Sequence, residues 1–338
     1  ISVSLFISMV LNPQNGLILI LAILFGIPAW LLGFSIPVFA WWSYSTRSLG
    51  LPTRQHEAES VLVAGFISTF PALVINSILF PELLAVFGID VLSQVGLLLL
   101  VSISAPVGEE CCKAAAIWFS RKHIDSPRRG FQIGFTVGLG FAMLENLQYI
   151  LISFFSEAGY AGFALTALVR GIGSIPGHAI WTGLTGLGIG WWLHDNKRMN
   201  TAINSDSTFL ENKRNNPVSL IDSKTGQVVQ DATGSHSHTT PALQLWSASA
   251  FTPIIELNRK QWPLPRTPLT GLLLAIMGHA LWNGSSIGVE IIAGDIGGQG
   301  FVLLATLLWT IILVSIILRL GYVLLKYEVI RHPSAEHF

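Results

Sequence analysis

Residues 92–120 read LSQVGLLLLVSISAPVGEECCKAAAIWFS, and this stretch decides the fold because it joins a long apolar run to a cluster of charged residues. About 20 mainly apolar residues are enough to cross a hydrocarbon core of roughly 30 Å. The whole chain is 51% hydrophobic and only 11% charged, whereas about 25% of the residues in a soluble domain are charged. The composition therefore predicts a membrane protein and excludes an ordinary soluble domain.

Other apolar runs of similar length bring the predicted number of membrane spans to about seven. We place the spans at 17–43, 58–81, 92–120, 131–155, 162–193, 268–293 and 301–326. All of them should be helical, because lipid offers no hydrogen-bond partner to an unpaired backbone group. The predicted fold class is an all-α polytopic transmembrane helical bundle. The apolar residues 1–11 are too short to span and stay unassigned, since they fit either a signal-like remnant or a start further upstream.

Basic residues collect on one side of this predicted bundle. They are Arg47, Arg54, Arg121, Lys122, Arg128, Arg129, the basic residues of 194–267, and Arg331. The loops of the opposite side contain Glu82, Asp90, Glu157 and Asp295. Lys and Arg are retained in cytoplasmic loops, so the sequence predicts a multi-pass cell-membrane protein whose C-terminus is cytoplasmic.

The order of apolar and polar segments predicts the domain organisation. We expect an N-terminal segment with the first span at 1–57, a core in two parts at 58–193 and 268–326, a polar cytoplasmic insertion at 194–267, and a cytoplasmic tail at 327–338. The insertion has little apolar periodicity, which is typical of a flexible segment. The formal net charge is +0, so charge gives no reason to expect nucleic acid as a partner. The expected surroundings are the lipid bilayer.

Polar and ionisable residues occur near the middle of four predicted spans. A charge at the bilayer centre costs at least about 2.5–3.5 kcal/mol on insertion scales, so such residues usually have a function. The third span contains Glu109, Glu110 and Lys113, the fourth Glu145 and Asn146, the fifth His178, and the sixth His279 and Asn283. The first, second and seventh spans contain nothing comparable.

These residues share one predicted depth in the membrane. Counted from the cytoplasmic end of each helix at about 1.5 Å per residue, four of them lie roughly 16 to 23 Å from that face: Glu109, Glu145, His178 and His279. The spans run in alternating directions, so composition alone does not produce this coincidence. We therefore predict that the four helices contribute to a single buried polar site.

Spacing within the helices supports this site. Lys113 stands four residues after Glu109 and three after Glu110, so one cation can reach either carboxylate. His279 and Asn283 are also four residues apart, which places an imidazole and a carboxamide on the same helix face. The sequence does not decide which of the two glutamates faces the site.

Two spans carry nearly the same histidine motif. Residues 177–183 read GHAIWTG and residues 278–284 read GHALWNG. The glycines allow the helices to approach closely, so the two imidazoles can converge on a water molecule or a metal ion. Pro106 and Pro176 precede the polar residues of their spans, where they would free backbone carbonyls and loosen the helix.

Four motifs together resemble the PrsW family of bacterial membrane proteases. They are Glu109-Glu110-x-x-Lys113, Phe141-x-x-x-Glu145-Asn146, Gly177-His178-Ala179 and His279-x-x-x-Asn283. Their order and spacing match the family over about residues 58 to 293, apart from the polar insertion, which departs from the compact family core. That family is related to the type II CAAX prenyl proteases and bacteriocin-processing enzymes, and more distantly to the Aph-1 subunit of gamma-secretase.

The resemblance implies an all-helical intramembrane protease, often assigned as a metallopeptidase, in a bacterial cell membrane. It also implies a membrane-anchored protein substrate, for which an anti-sigma factor is the example that the better-known members provide. The predicted reaction is peptide-bond hydrolysis in a hydrated cavity within the membrane. Glu109 or Glu110 would act as general base for a water molecule, and Lys113 and Asn146 would support the site.

The histidines allow two versions of this chemistry. In one, His178 and His279 bind a divalent metal together with Glu145, a ligand set that suits zinc with one open position. In the other, the two histidines stabilise the oxyanion without a metal, and Asn283 is an added donor. The sequence leaves both versions open.

Two other classes of function also stay open. A proton-coupled transporter uses carboxylates and histidines at mid-membrane as proton relays, although an odd number of spans is unusual for a repeat transporter. A non-catalytic scaffold like Aph-1 would use the histidines to organise partner helices. The retained Glu109-Glu110 pair disfavours the scaffold.

Overall fold

The computed structural model describes residues 27–51, 55–154, 165–215, 220–221, 228–229 and 261–334. Several predictions therefore fall wholly or partly outside the described residues. They are the unassigned stretch 1–11, the beginnings of the spans 17–43 and 162–193, the last residue of the span 131–155, most of the insertion 194–267, the end of the tail 327–338, and the loop residues Arg54 and Glu157. The candidate site residues all lie within the described part of the chain.

Helices make up nearly all of the described structure. They are α1 Ile27–Leu49, α2 Gln55–Val74, α3 Phe80–Val86, α4 Gln94–Leu99, α5 Ala105–Phe119, α6 Pro127–Phe154, α7 Ile175–Asn215, α8 Pro268–Ile296 and α9 Gln299–Val323. Four π turns are continuous with them: π1 Ile75–Leu79, π2 Leu100–Ser104, π3 Arg170–Ser174 and π4 Leu324–Glu328. Short 3-10 turns follow at Arg121–His123 and Val329–Arg331. The all-α fold class is confirmed.

Five helical segments are long and apolar enough to cross a membrane. They are His56–Val86, Gln94–Phe119, Pro127–Ser153, Pro268–Ile296 and Gln299–Arg331, and each corresponds to one predicted span. The other two predicted spans are not among them, since 17–43 begins outside the described residues and α7 is rich in glycine, threonine and tryptophan. The polytopic membrane bundle is confirmed, and the count of seven spans is approximate.

Prolines explain three of the four π turns. Pro81, Pro106 and Pro176 each stand two residues after the end of π1, π2 and π3. A proline has no N–H to donate, and its ring clashes with the carbonyl four residues earlier, which in each case lies inside the π turn. The helix therefore widens at this point instead of continuing its regular ladder.

Helix α6 is at the centre of the bundle, and glycines bring its neighbours close. Of the five candidate spans it has the largest buried share, and α9 has the smallest. A Cβ atom on Gly134 or Gly138 would lie 2.4 Å from a backbone oxygen of α7, and one on Gly140 would lie 2.0 Å from Leu62 O of α2. Small residues at helix crossings permit this close packing in membranes, so α6 fixes the positions of both neighbours.

The ends of three helices meet on one side of the bundle. The Arg128 guanidinium, at the start of α6, donates to Leu49 O at 3.2 Å and to His332 O at 2.9 Å, and it also donates to Ile330 O. Trp191 Nε1 donates to His332 Nδ1 at 3.2 Å. These contacts hold the end of α1 and the segment after α9 against α6. The predicted cytoplasmic position of this side stays a prediction.

The chain divides into two units, and the structure describes the second, Asp195–Trp262, only in part. Within it, the second half of α7 is followed by a two-stranded antiparallel ladder of β1 Leu220–Ile221 and β2 Val228–Val229. The predicted domain boundaries, including 194–267 for the insertion, stay predictions.

Candidate active site

Lys113 is at the centre of a buried polar cluster. Its side chain on α5 is fully buried, and Nζ lies 2.8 Å from Glu110 Oε1 and 3.5 Å from Glu109 Oε2. The same ammonium lies 2.8 Å from His178 Nδ1 and 3.9 Å from the centroid of the Phe141 ring. One cation thus links both glutamates of α5 to the histidine of α7, which offsets part of the cost of burying it.

Glu110 is held from three directions. Besides Lys113, Thr182 Oγ1 donates to its Oε2 at 3.2 Å, and His279 Nδ1 lies 3.1 Å from its Oε1. Its carboxylate is completely buried. Because both oxygens have close partners, this side chain is fixed in one position.

Glu109 is held less tightly. Asn76 Nδ2 donates to its Oε1 at 3.4 Å, Lys113 is 3.5 Å from its Oε2, and His279 Nε2 is 3.8 Å from the same oxygen. Ser104 Oγ donates to Asn76 Oδ1 at 3.0 Å, which turns the Asn76 amide towards Glu109. Asn76 lies in π1 and Ser104 in π2, so both π turns help to build this side of the site.

Each histidine has a carboxylate on one ring nitrogen. His178 Nε2 lies 2.6 Å from Glu145 Oε2, and His279 Nδ1 lies 3.1 Å from Glu110 Oε1. Donation of an N–H from these two nitrogens leaves the other nitrogen of each ring as an acceptor. His178 Nδ1 then accepts from Lys113, and His279 Nε2 faces Glu109.

The second histidine motif packs against the first. The rings of His279 and Trp181 stack with centroids 4.9 Å apart and an angle of 13°, while His178 meets His279 edge-on at 5.0 Å. A Cβ on Gly278 would lie 2.7 Å from the Trp181 ring. The repeated Gly-His-Ala motif is therefore explained in part by packing, because the glycine before His279 makes room for the tryptophan after His178.

A second cation lies behind His178. Arg170 Nη2, in π3, is 2.8 Å from Glu145 Oε2, and Arg170 Nε donates to Asn146 Oδ1 at 2.6 Å. Its Cζ lies 3.8 Å from the centroid of the Tyr149 ring. Arg170 thus fixes the carboxylate that contacts His178.

Glu109, His178 and His279 can converge on a metal ion. One ligand atom from each lies within 4.8 Å of the others, and all three residues are buried. Ligand atoms of a tetrahedral zinc site lie about 3.3 Å apart, given zinc–nitrogen bonds of about 2.0–2.1 Å, so no pair would have to approach by more than roughly 1.5 Å. Glu109 Oε2 and His279 Nε2 are already 3.8 Å apart. Two imidazoles and a carboxylate suit zinc, and each histidine also contacts a carboxylate, as histidine ligands usually do. A metal on His178 Nδ1 would have to replace the Lys113 ammonium that this nitrogen contacts. Glu145, included in the predicted ligand set, is not one of these three residues, and its carboxylate contacts Arg170 and His178.

The structure brings most of the predicted site residues together. Glu109, Glu110, Lys113, Glu145, His178 and His279 form one continuous network, and Asn146 joins it through Arg170. Asn283 is placed differently, since its Nδ2 donates to Val101 O in π2 at 3.3 Å. Its role as an oxyanion donor stays a prediction.

Sequence reasoning did not single out Asn76, Thr182 or Arg170 as site residues. Thr182 stands four residues after His178, so its position on the same helix face could have indicated it. Arg170 is a charged residue in an apolar stretch, which is itself a signal of function. Asn76 gave no such signal, because it is a single neutral residue in the second span.

Comparison with known proteins gives one finding. A model of the family described as PrsW family intramembrane metalloprotease matches residues 57–205. This region contains Glu109, Glu110, Glu145 and His178, and it ends before His279. No curated protein and no solved structure matches the chain. Over residues 57–205 the chain is similar to the PrsW family of intramembrane metalloproteases, which confirms the resemblance predicted from its motifs.

Proposed function

We propose that the protein hydrolyses peptide bonds of membrane-anchored proteins, with Glu109 as the general base for a water molecule. The observation that carries this proposal is the convergence of Glu109, His178 and His279 in one buried group. A base must lie within hydrogen-bond reach of the water that it activates. Glu109 meets this need better than Glu110, whose two oxygens are taken up by Lys113, His279 and Thr182.

The proton steps can be assigned to residues of this chain. Glu109 takes a proton from the water, the hydroxyl oxygen forms a bond to the scissile carbonyl carbon, and the carbonyl electrons move to its oxygen. When this oxyanion collapses, the C–N bond breaks and Glu109 returns the proton to the leaving amine. Lys113 is the nearest cation to Glu109 and His178, so it is positioned to stabilise the negative charge of the tetrahedral intermediate.

The remaining residues keep the histidines in place. Glu145 and Arg170 orient His178, and Glu110 and Trp181 orient His279. If a divalent metal is bound, His178 and His279 would hold it beside Glu109, and it would supply Lewis acidity and lower the pKa of a bound water. We assign Glu145 to positioning, because its nearest partners are Arg170 and His178.

The substrate class follows from the location of the site. A buried site inside a membrane bundle acts on chains that reach it through the bilayer, so a membrane-anchored protein is the proposed substrate. An anti-sigma factor is the example that the family resemblance offers. The bacterial origin and the cytoplasmic C-terminus are part of the same proposal.

The direct test is cleavage of a membrane-anchored reporter by the purified full chain in liposomes. Glu109→Gln should lower the cleavage rate by about 10²–10⁴-fold, the usual contribution of a general base, and should leave the fold intact because glutamine keeps the contact to Asn76. Glu290→Gln, on the exposed end of α8, is the matched control and should cleave at the wild-type rate. Full activity of Glu109→Gln contradicts the proposed base, and a wild-type protein that transports a solute but cleaves no reporter supports the transporter.

Metal content separates the two versions of the chemistry. Purified protein should be measured by elemental analysis, and cleavage should be followed with a chelator present. A stoichiometric metal that is lost from His178→Ala and His279→Ala supports the metal version. A metal-free protein that cleaves at an unchanged rate with chelator supports the version in which the side chains act alone.

A further inference from the structure

Arg319 is a charged residue within the last membrane span. It precedes residue 326, where the predicted last span ends, by seven residues or roughly 10 Å along the axis. Its side chain is exposed on a helix that packs little against the rest of the bundle. Within the described part of the chain, no carboxylate forms an ion pair with it. An unpaired cation at this depth is costly, so it calls for an anion that the described residues do not supply.

A second exposed cation converges on the same place. Lys326, in π4, has its Nζ 5.3 Å from the centroid of the Tyr322 ring, and Arg319 Cζ lies 5.7 Å from the same centroid. The hydroxyls of Tyr322 and Tyr327 lie 3.3 Å apart beside Lys326. Among the described residues Lys326 also has no carboxylate partner. Two cations and two phenolic hydroxyls therefore surround one position, a donor set that suits a phosphate group.

An apolar groove begins at this position. The aromatic groove, as we name it, has a volume of about 340 Å³ between α1 and α9 and is lined by Ala40, Trp41, Tyr44, Leu318 and Tyr322. Its lining is aliphatic and aromatic, so it suits a hydrocarbon chain. Tyr322 belongs both to the groove and to the cationic cluster, so the two features are continuous.

The position within the membrane fits a lipid headgroup at the cationic end. The contacts of Arg128 hold the end of α1 and the segment after α9 on the basic side of the bundle. The guanidinium of Arg319 lies over Tyr322, which follows it in the chain, so the side chain extends towards that side, as snorkelling cations do. Anionic phospholipids are bound by basic pockets between transmembrane helices.

We infer that the aromatic groove binds an anionic phospholipid, with its phosphodiester between Arg319 and Lys326 and one acyl chain along Trp41 and Leu318. The hydroxyls of Tyr322 and Tyr327 donate to the same phosphate. The negative charge supplies a partner for both cations, and the acyl chain covers an aromatic surface that the described part of the chain leaves open. This site is separate from the hydrolytic cluster and does not depend on the proposed reaction.

Native mass spectrometry of the full chain in detergent tests this inference. Added phosphatidylglycerol should be retained about tenfold or more over phosphatidylcholine, since its net negative charge meets two cations, whereas phosphatidylcholine has no net charge. The double variant Arg319→Gln with Lys326→Gln should lose this preference. The charge-preserving exchange Arg319→Lys with Lys326→Arg should keep it.

A matched control is available on the same side of the bundle. Arg121 and Lys122 are also exposed, and Arg121 also lies over an aromatic ring, that of Trp118 at 4.7 Å. Arg121→Gln with Lys122→Gln should retain phosphatidylglycerol like the wild type. Equal retention of the two lipids, an unchanged Arg319/Lys326 variant, or release of the lipid by excess inorganic phosphate would overturn the inference. Thermal unfolding shows whether each variant is folded. If the glutamine variant is not folded, the charge-preserving exchange is the test, and loss of its preference for phosphatidylglycerol would overturn the inference.

Discussion

Lys113 is the residue on which the buried site depends. It is fully buried, and its ammonium contacts Glu109, Glu110 and His178. The spacing within α5 predicts contact with either carboxylate, and the structure shows both. It also contacts a histidine far away in sequence, which spacing within one helix does not predict.

Arg170 leads to a prediction about stability and catalysis. Arg170→Gln leaves Glu145 without its ion-pair partner, and breaking a buried pair costs about 3–5 kcal/mol. We expect a lower free energy of unfolding and a lower kcat with a nearly unchanged KM, because His178 loses its orientation. Urea unfolding in detergent and reporter kinetics measure both quantities.

A double variant controls for this effect. Arg170→Gln with Glu145→Gln removes both charges, so part of the stability should return although the activity stays low. The exposed Arg121→Gln should change neither quantity. If the costs of the two single changes simply add up in the double variant, the ion pair is not what stabilises this region.

The charged members of the site could be predicted from sequence, and the neutral ones could not. Glu109, Glu145 and His178 are costly in lipid, so their presence at one depth indicates a site. Asn76 and Thr182 are single polar residues whose hydroxyl or amide has many other uses in a helix. Their contacts to Glu109 and Glu110 depend on how four helices pack, and this packing cannot be predicted from the sequence of any one span.

Helix packing gives the prediction at the scale of the element. A Cβ on Gly138 of α6 would lie 2.4 Å from His178 O and 2.7 Å from Ala179 Cα. Gly138→Ala should therefore push α7 away, with a cost of about 1–3 kcal/mol for overpacking and a strong loss of cleavage. Thermal unfolding and the reporter assay measure the two effects.

Gly288 of α8 is the matched control. A Cβ at this position would meet nothing within 4 Å, so Gly288→Ala should keep the wild-type rate and gain about 0.5–1 kcal/mol from the better helix former. Equal activities of the two variants would mean that the close approach of α6 and α7 does not position His178.

The elements themselves are predicted well where a span is apolar and poorly where it is not. The spans at 58–81, 92–120 and 131–155 all have helical counterparts, because long apolar runs have few other solutions in lipid. The span at 162–193 has a lower hydropathy, because α7 packs against α6 through glycines and contains fewer aliphatic residues. The prolines that follow π1, π2 and π3 can be seen in the sequence. They indicate where the helix is disturbed, although not the direction in which it widens.

At the scale of the whole molecule, His332 joins the segment after α9 to Arg128 of α6 and Trp191 of α7 on the basic side of the bundle. Burial, with Arg266 and Arg128 nearby, lowers the pKa of His332 to about 4 from its ordinary 6.5. The folded state therefore favours the neutral ring, which accepts from Trp191. This contribution to stability is complete above about pH 6.5 and is lost as the pH falls from there towards 4.

We expect the thermal midpoint of the wild type to fall more steeply over this pH range than that of His332→Gln. The glutamine can still accept from Trp191 but has no proton to take up. The exposed His56→Gln should follow the wild-type curve. Parallel curves for His332→Gln and the wild type would show that the segment after α9 does not respond to this histidine.

The π turns π1, π2 and π3 each carry a residue of the polar network, so the number of residues in each turn is restricted. Regular helix turns by about 100° per residue, so deleting one residue from π1, π2 or π3 would rotate everything on one side of the turn relative to the other. Asn76, Ser104 and Arg170 would then point away from their partners although none of them had been replaced. These segments should tolerate changes of residue type better than changes of length. An insertion or deletion in one of them would break the contacts of the network although every member of the network is still present.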